Sequence, residues 1–357
     1  MNPLARRLRR VIELEGPISV AAFMDAALSD PDHGYYRTRD PLGRAGDFTT
    51  APEVSQMFGE LIGLWAAVAW RQIGAPDPVD VIELGPGRGT LMKDALRAIE
   101  GVPDFRNALR VQFVETSPAL TIKQAASLKG SGHAPEWHES LGAVPPGPFV
   151  LIANEFFDAL PIRQFVKTGD VWRERLVGLG DGGFGFVMGD ICEAEFPDAE
   201  DGAIFEVNEG ANRTVAEIAC RIAVHGGIAL IVDYGHMGGV GETLQSVKGH
   251  VFHPPLVDPG EADLTAHVDF RALIGAATAA GAAAHGPLPQ GAFLERIGLA
   301  HRAAKLKEKA PPESRLAIEL ARVRLADPQA MGALFKVLAL APKDAASPPG
   351  FDSPQPK

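Results

Sequence analysis

Residues 79–90, Val-Asp-Val-Ile-Glu-Leu-Gly-Pro-Gly-Arg-Gly-Thr, restrict what this chain can fold into more than any other stretch. Val79, Val81, Ile82 and Leu84 make the β-branched and aliphatic run of a strand buried in a parallel sheet. Gly85, Gly87 and Gly89 then break the run. Leu91, Ala95, Leu96 and Ile99 recur at helical spacing until Gly101 and Pro103 end the helix. A glycine elbow between strand and helix lets backbone come close to a ligand at the carboxyl end of a doubly wound sheet.

Spacing and charge narrow the ligand. A dinucleotide fingerprint requires G-x-G-x-x-G, and its third glycine would fall on Thr90. Here the pattern is Gly85-x-Gly87-x-Gly89, preceded by Glu83. A pyrophosphate is poorly served by an added negative charge there. S-adenosylmethionine carries a cationic sulfonium and an ammonium, which a carboxylate helps hold. The carboxylate with GxGxG therefore favours S-adenosylmethionine, with an ordinary tight turn as the alternative.

The chain has 357 residues, enough for one large domain or two. Its formal charge of −11 argues against nucleic acid as an obligate partner, because phosphate binding needs a basic footprint. Two cysteines, Cys192 and Cys220, make no disulfide framework and no cysteine zinc site. No stretch has the length of a membrane span, so no stable membrane insertion is expected; Met57–Trp70 is apolar but short and holds Glu60. Arg6, Arg7, Arg9 and Arg10 suggest a targeting segment, but Glu13 and Glu15 follow and serines are scarce, which favours a native amphipathic helix.

In chain order, residues 1–75 are expected as an N-terminal helical segment packing over the cofactor site. Within it, Thr50 and Glu53 have capping-box spacing ahead of a helix whose apolar stripe is Val54, Met57, Phe58, Leu61, Trp65 and Val68. The core is expected over 76–342. Leu109–Glu115 reads as the second strand, and Glu115 stands where such folds place the carboxylate for ribose hydroxyls, a solvated strand end being the alternative. Glu139 follows a third strand and could meet the adenine amino group. Pro148–Ala153 is the fourth strand, opening onto Asn154, Glu155, Phe156, Phe157 and Asp158, a rim suited to a flat, cationic or amine substrate, with a polar N-cap followed by core aromatics as the alternative. An antiparallel β and helical insertion is expected at about 162–225, where short alternating runs are separated by glycine turns. Gly227–Gly235 restores the parallel sheet. His250, His253 and His267 are too irregularly spaced to suggest a metal site. A strand near 282–288, two helices across 291–325 and a last strand at 333–340 follow, then a disordered tail at 343–357 rich in Pro, Ser and Asp.

Gly46–Ser55, the Glu83–Gly89 elbow, Asn154–Pro161, Asp233-Tyr234-Gly235 and Asp263–Phe270 together resemble the MidA family over roughly residues 10–340. The resemblance implies a Rossmann-like class I methyltransferase α/β fold with a seven-stranded sheet, the last strand antiparallel. It implies S-adenosylmethionine held by Glu83, Gly85, Gly87, Gly89 and Glu115, with Thr49 and Thr50 in a loop, Gly46–Glu53, closing over it. It further implies protein arginine N-methylation, giving symmetric dimethylarginine on the 49-kDa-type subunit of respiratory complex I in support of its assembly. Glu155 is then the first candidate for orienting and deprotonating the guanidinium, with Asp158 second and Asn154 beside them. A non-catalytic assembly chaperone that keeps the cofactor pocket is the alternative. A nicotinamide-dependent oxidoreductase is disfavoured by the missing third glycine. Bacterial cytoplasm is preferred over mitochondrial matrix, and an oligomer is possible.

Overall fold

The computed structural model describes residues 1–38 and 50–352, which gather into two compact units. One takes in 157–213, 236–272 and the described residues of the first 48. The other takes in 214–235 and the described residues of 49–156 and 273–357. The expected helical segment 1–75 is therefore divided between the two.

The second unit is built on a sheet whose main path has seven strands: β1 (Val79–Leu84), β2 (Leu109–Val114), β3 (Glu136–His138), β4 (Phe149–Asn154), β5 (Gly227–His236), β6 (Ala282–Pro289) and β7 (Phe335–Pro342). They pair in the order β6-β7-β5-β4-β1-β2-β3. The first five are parallel to one another, and β7 runs antiparallel between β5 and β6. This is the expected methyltransferase sheet. Every residue of β1 is buried, Asp80 and Glu83 included with the four aliphatic residues. Leu84 is registered with Ala153 on one side and Val114 on the other, so three strands end at one edge. The strand order reverses between β1 and β4, the place where doubly wound sheets hold ligands.

Local details depart from the sequence reading. Thr50 sits at the N-cap of Ala51–Val54, but its side chain makes no capping bond. Glu53 instead accepts from Thr90 Oγ1 at 2.5 Å, reaching across to the helix after the elbow. Ser55 caps the long helix Gln56–Gln72, its Oγ accepting from Met57 N. Val68, expected in that helix's stripe, is 45% exposed, because the buried arc turns toward Ala66, Ala69 and Trp70. The region 291–325 holds three helices, Gln290–Arg296, Leu299–Lys309 and Pro312–Ala326, since Gly298 at φ 105° and the Pro311-Pro312 pair interrupt it. Residues 343–352, expected as the start of a disordered tail, pack onto the unit. Trp65 Nε1 donates to Pro349 O at 3.0 Å, and the Phe351 ring lies 5.4 Å from that of Phe293.

The first unit joins helices Pro3–Glu15 and Val20–Ser29 to antiparallel strands Ile18–Ser19, Arg163–Thr168, Val171–Gly180, Gly183–Cys192 and Ile204–Val207. Leu8, Ile12, Phe23, Met24, Val177 and Leu264 share one core there. The strands of the expected insertion thus belong with the N-terminal helices and with 236–272.

Candidate active site

Glu83, the fifth residue of β1, is 3% exposed, and its Oε2 has no hydrogen-bond partner among the described residues. Burial alone pushes its carboxyl pKa from 4.5 up to about 8. A buried carboxyl oxygen without a partner is costly, so its presence calls for a donor or cation that the described residues do not supply.

The elbow beside it is exposed at Gly85, half-buried at Gly87 and buried at Gly89. Gly85, Gly87 and Gly89 lie at φ +59°, +54° and +75°, the left-handed region that suits glycine. Gly85 N donates to Val114 O at 3.0 Å, and Gly89 N to Pro86 O at 2.8 Å. A Cβ on Gly85 would come within 3.0 Å of the Phe156 ring.

Glu115 directly follows β2 and is half-buried. Its Oε1 accepts from Ser117 N at 2.7 Å and its Oε2 from Gln124 Nε2 at 3.0 Å. Gln124 is fully buried on the helix Pro118–Ser127. The same Nε2 also donates to Gly87 O at 2.8 Å, while Gln124 Oε1 accepts from Trp137 Nε1 at 2.8 Å. One amide thus ties the elbow, the carboxylate after β2, and β3. Sequence reasoning missed it. The available signal was an amide between Leu120 and Leu128 at the i, i+4, i+8 positions of a buried face.

Past β4 the chain turns sharply. Glu155 takes φ +52°, unusual for a residue with a side chain, and its N donates to Val232 O at 2.9 Å. Its Oε1 accepts from Ala51 N at 2.9 Å and from Asn154 Nδ2 at 3.1 Å. Asn154 Oδ1 is buried without a partner among the described residues. Fully buried Asp233 underpins this rim, its Oδ2 accepting from Phe156 N at 3.2 Å and its Oδ1 from Tyr234 N at 2.9 Å.

The sheet unit therefore brings Glu83, the three glycines, Glu115, Asn154 and Glu155 to the carboxyl ends of β1, β2 and β4. Glu139 follows β3 and is exposed. Thr50 is half-buried next to Ala51, and Thr49 lies outside the described residues. Asp158 belongs to the other unit, 7% exposed, with its backbone O accepting from Ala266 N. There Tyr36 OH donates to Asp263 Oδ1 at 2.8 Å. Burial first, then the charges of Asp263 and Asp158, hold the Tyr36 phenol well above its ordinary pKa.

An unmet carboxylate beside a left-handed glycine turn that is exposed at Gly85, with a second carboxylate one strand away, fits a cationic nucleoside better than a diphosphate. Residues 61–288 match the model of a family described as "Putative S-adenosyl-L-methionine-dependent methyltransferase". The chain belongs to this family. Its reaction class is methyl transfer and its cofactor S-adenosylmethionine. This methyltransferase is 38% identical to "Protein arginine methyltransferase NDUFAF7 homolog, mitochondrial" of Drosophila melanogaster, over 95% of the chain and 85% of that protein. It is 37% identical to "Protein arginine methyltransferase NDUFAF7, mitochondrial" of Homo sapiens, over 96% and 84%. A Burkholderia thailandensis protein crystallised with S-adenosyl-homocysteine superposes with a TM-score of 0.83 at 28% identity, covering 98% of this chain and 92% of that one. Both curated relatives are named mitochondrial, which lends nothing to the expectation of a bacterial cytoplasm. Among the described residues no helix is long and apolar enough to cross a membrane.

Proposed function

We propose that this methyltransferase modifies arginine on a protein substrate. The observation that carries the reading is the buried, unmatched Glu83 carboxylate at the glycine elbow. The names of relatives aligned along nearly the whole chain support arginine as the acceptor. The motif resemblance extends the reading to symmetric dimethylation of an arginine on the 49-kDa-type subunit of complex I.

Bound at the elbow, S-adenosylmethionine supplies an electrophilic methyl group on a sulfonium. Glu83 and the elbow backbone hold the cofactor's charged end, and Glu115 takes the ribose hydroxyls. Exposed Glu139 is left to the adenine amino group, and half-buried Thr50 is assigned to the nucleoside. At the β4 rim the acceptor guanidinium stays protonated at neutral pH and is a poor nucleophile until oriented. Glu155 orients it and takes its proton as the new carbon–nitrogen bond forms and the carbon–sulfur bond breaks. Asn154, with its carbonyl oxygen unengaged by the described residues, is the neighbouring acceptor for a guanidinium N–H. Asp158, the second candidate for the guanidinium's proton, stands in the other unit.

Calorimetric titration with S-adenosylmethionine and S-adenosyl-homocysteine tests the cofactor role. Wild type should bind both, and a folded Gly87→Val variant neither; unchanged affinity in that variant would reject the site. Mass spectrometry of the 49-kDa-type subunit, from cells carrying Glu155→Gln, tests the acceptor side. Full symmetric dimethylation there would remove Glu155 from the reaction. Assembled complex I carrying no methyl mark in wild type would favour a chaperone instead.

A further inference from the structure

The helix Pro312–Ala326 of the sheet unit presents an apolar face that the other described residues of that unit leave uncovered. Leu325 is buried, and Ile318 and Ala321 pack on the core, which sets how the helix is turned. On the opposite side Leu316, Leu320 and Val323 are 67%, 60% and 38% exposed, at i, i+4 and i+7. A helical seam of this spacing is what a partner helix reads.

Charge marks the two ends of the seam. Glu313 lies in the first helical turn, three residues before Leu316, and Arg324 in the last, four residues after Leu320. Both are exposed on the same face. The flanking Glu319 and Arg322 are already paired with each other and with Lys307 and Glu295, so they are spent within the chain.

We propose that this face is a self-association surface whose occupant is the same helix of a second copy, packed antiparallel about a two-fold axis near Leu320. The order acid, apolar, base is self-complementary when the second copy runs the opposite way. Glu313 of each copy then meets Arg324 of the other, Leu316 opposes Val323, and Leu320 meets its counterpart. A parallel arrangement would set acid on acid and base on base. Antiparallel alignment also opposes the two helix dipoles. One helical seam is small beside a permanent interface, so the dimer is reversible.

Sedimentation velocity of the full chain from about 1 to about 100 µM reads this directly, with a concentration-dependent monomer–dimer equilibrium expected in the span typical of small interfaces. Leu320→Glu, which sets two carboxylates face to face at the axis, should weaken dimerisation at least about tenfold. Its circular dichroism, melting and S-adenosylmethionine binding should stay those of wild type, because the residue faces solvent. Glu313→Arg and Arg324→Glu should each weaken the dimer, and the double exchange should restore it. A wild-type chain that stays monomeric throughout, or a dimer indifferent to Leu320→Glu, would overturn the proposal. So would a dimer that Leu320→Glu weakens but the charge exchange leaves untouched. Monomeric wild type whose methylation of a protein substrate falls on Leu320→Glu would assign the face to that substrate and overturn it equally.

Discussion

A carboxyl group sealed at the end of a strand makes folding and binding respond to pH in opposite directions. In the free chain Glu83 keeps its proton up to about pH 8, whereas an ordinary carboxyl loses it near 4.5. The folded state thus binds the proton more tightly than the unfolded one. Glu83's contribution to stability is fullest below about 4.5 and is lost as pH rises through about 8. Melting of the cofactor-free chain should therefore fall behind that of Glu83→Gln progressively between those limits. A cationic ligand pulls the same carboxyl toward ionisation, so S-adenosylmethionine binding near neutral pH should release a proton. Titrations in buffers of different ionisation enthalpy would show this, and Glu83→Gln should abolish it while weakening binding by about ten- to a hundredfold. Gln124 makes a second residue-scale case. Gln124→Leu strands Gly87 O and Trp137 Nε1, costing about 1–3 kcal/mol per stranded group. Urea unfolding should register that loss, and calorimetry a weaker cofactor affinity.

Two glycines one turn apart decide how closely the elements in front of the sheet approach. A Cβ on Gly59 would lie 2.7 Å from Asp94 Cβ, and one on Gly63 would lie 2.6 Å from Ala95 Cα. The helices Gln56–Gln72 and Thr90–Ala98 thus touch backbone to backbone, which holds the helix that follows the elbow. Buried Glu60 on the same helix accepts from Arg97 and Arg302, so its charge is matched inside an apolar run. Gly63→Ala should destabilise by about 1–3 kcal/mol in urea unfolding, because two backbones must part. Gly101→Ala, with open space around it, should change stability by less than about 0.5 kcal/mol. Periodicity identified both helices in the sequence. Their distance was not legible, because a glycine on a helix reads equally as tolerance or as contact.

At the scale of the whole molecule, ligand linkage gives a test that does not depend on the acceptor. Saturation with S-adenosylmethionine at about a hundred times its dissociation constant should stabilise the folded chain by about 2.7 kcal/mol. A thermal shift reads that gain, and Gly87→Val should lose it. The same scale shows where sequence reasoning fell short. Ile18–Ser19 pairs with Val171–Gly180 across a long stretch of chain, and the core of that unit includes Leu264. Nothing in 162–225 alone announces that its strands belong with the first thirty residues. Phe351 likewise reads as part of a polar tail until the Phe293 ring receives it.

The sequence by itself determined the strand runs, the left-handed bend and the carboxylates beside it. These follow from alternation, steric demand and charge, which act over a few residues. Topology then followed because parallel strands joined by helices have few ways to order themselves. Only the tertiary structure decided that Gln124 ties Gly87 to Glu115, that Asp233 supports the rim, and that Asp158 falls in a different unit from Glu155. Those outcomes depend on which distant segments exclude water from one another. A buried polar side chain acquires its role only when burial leaves it a particular set of partners.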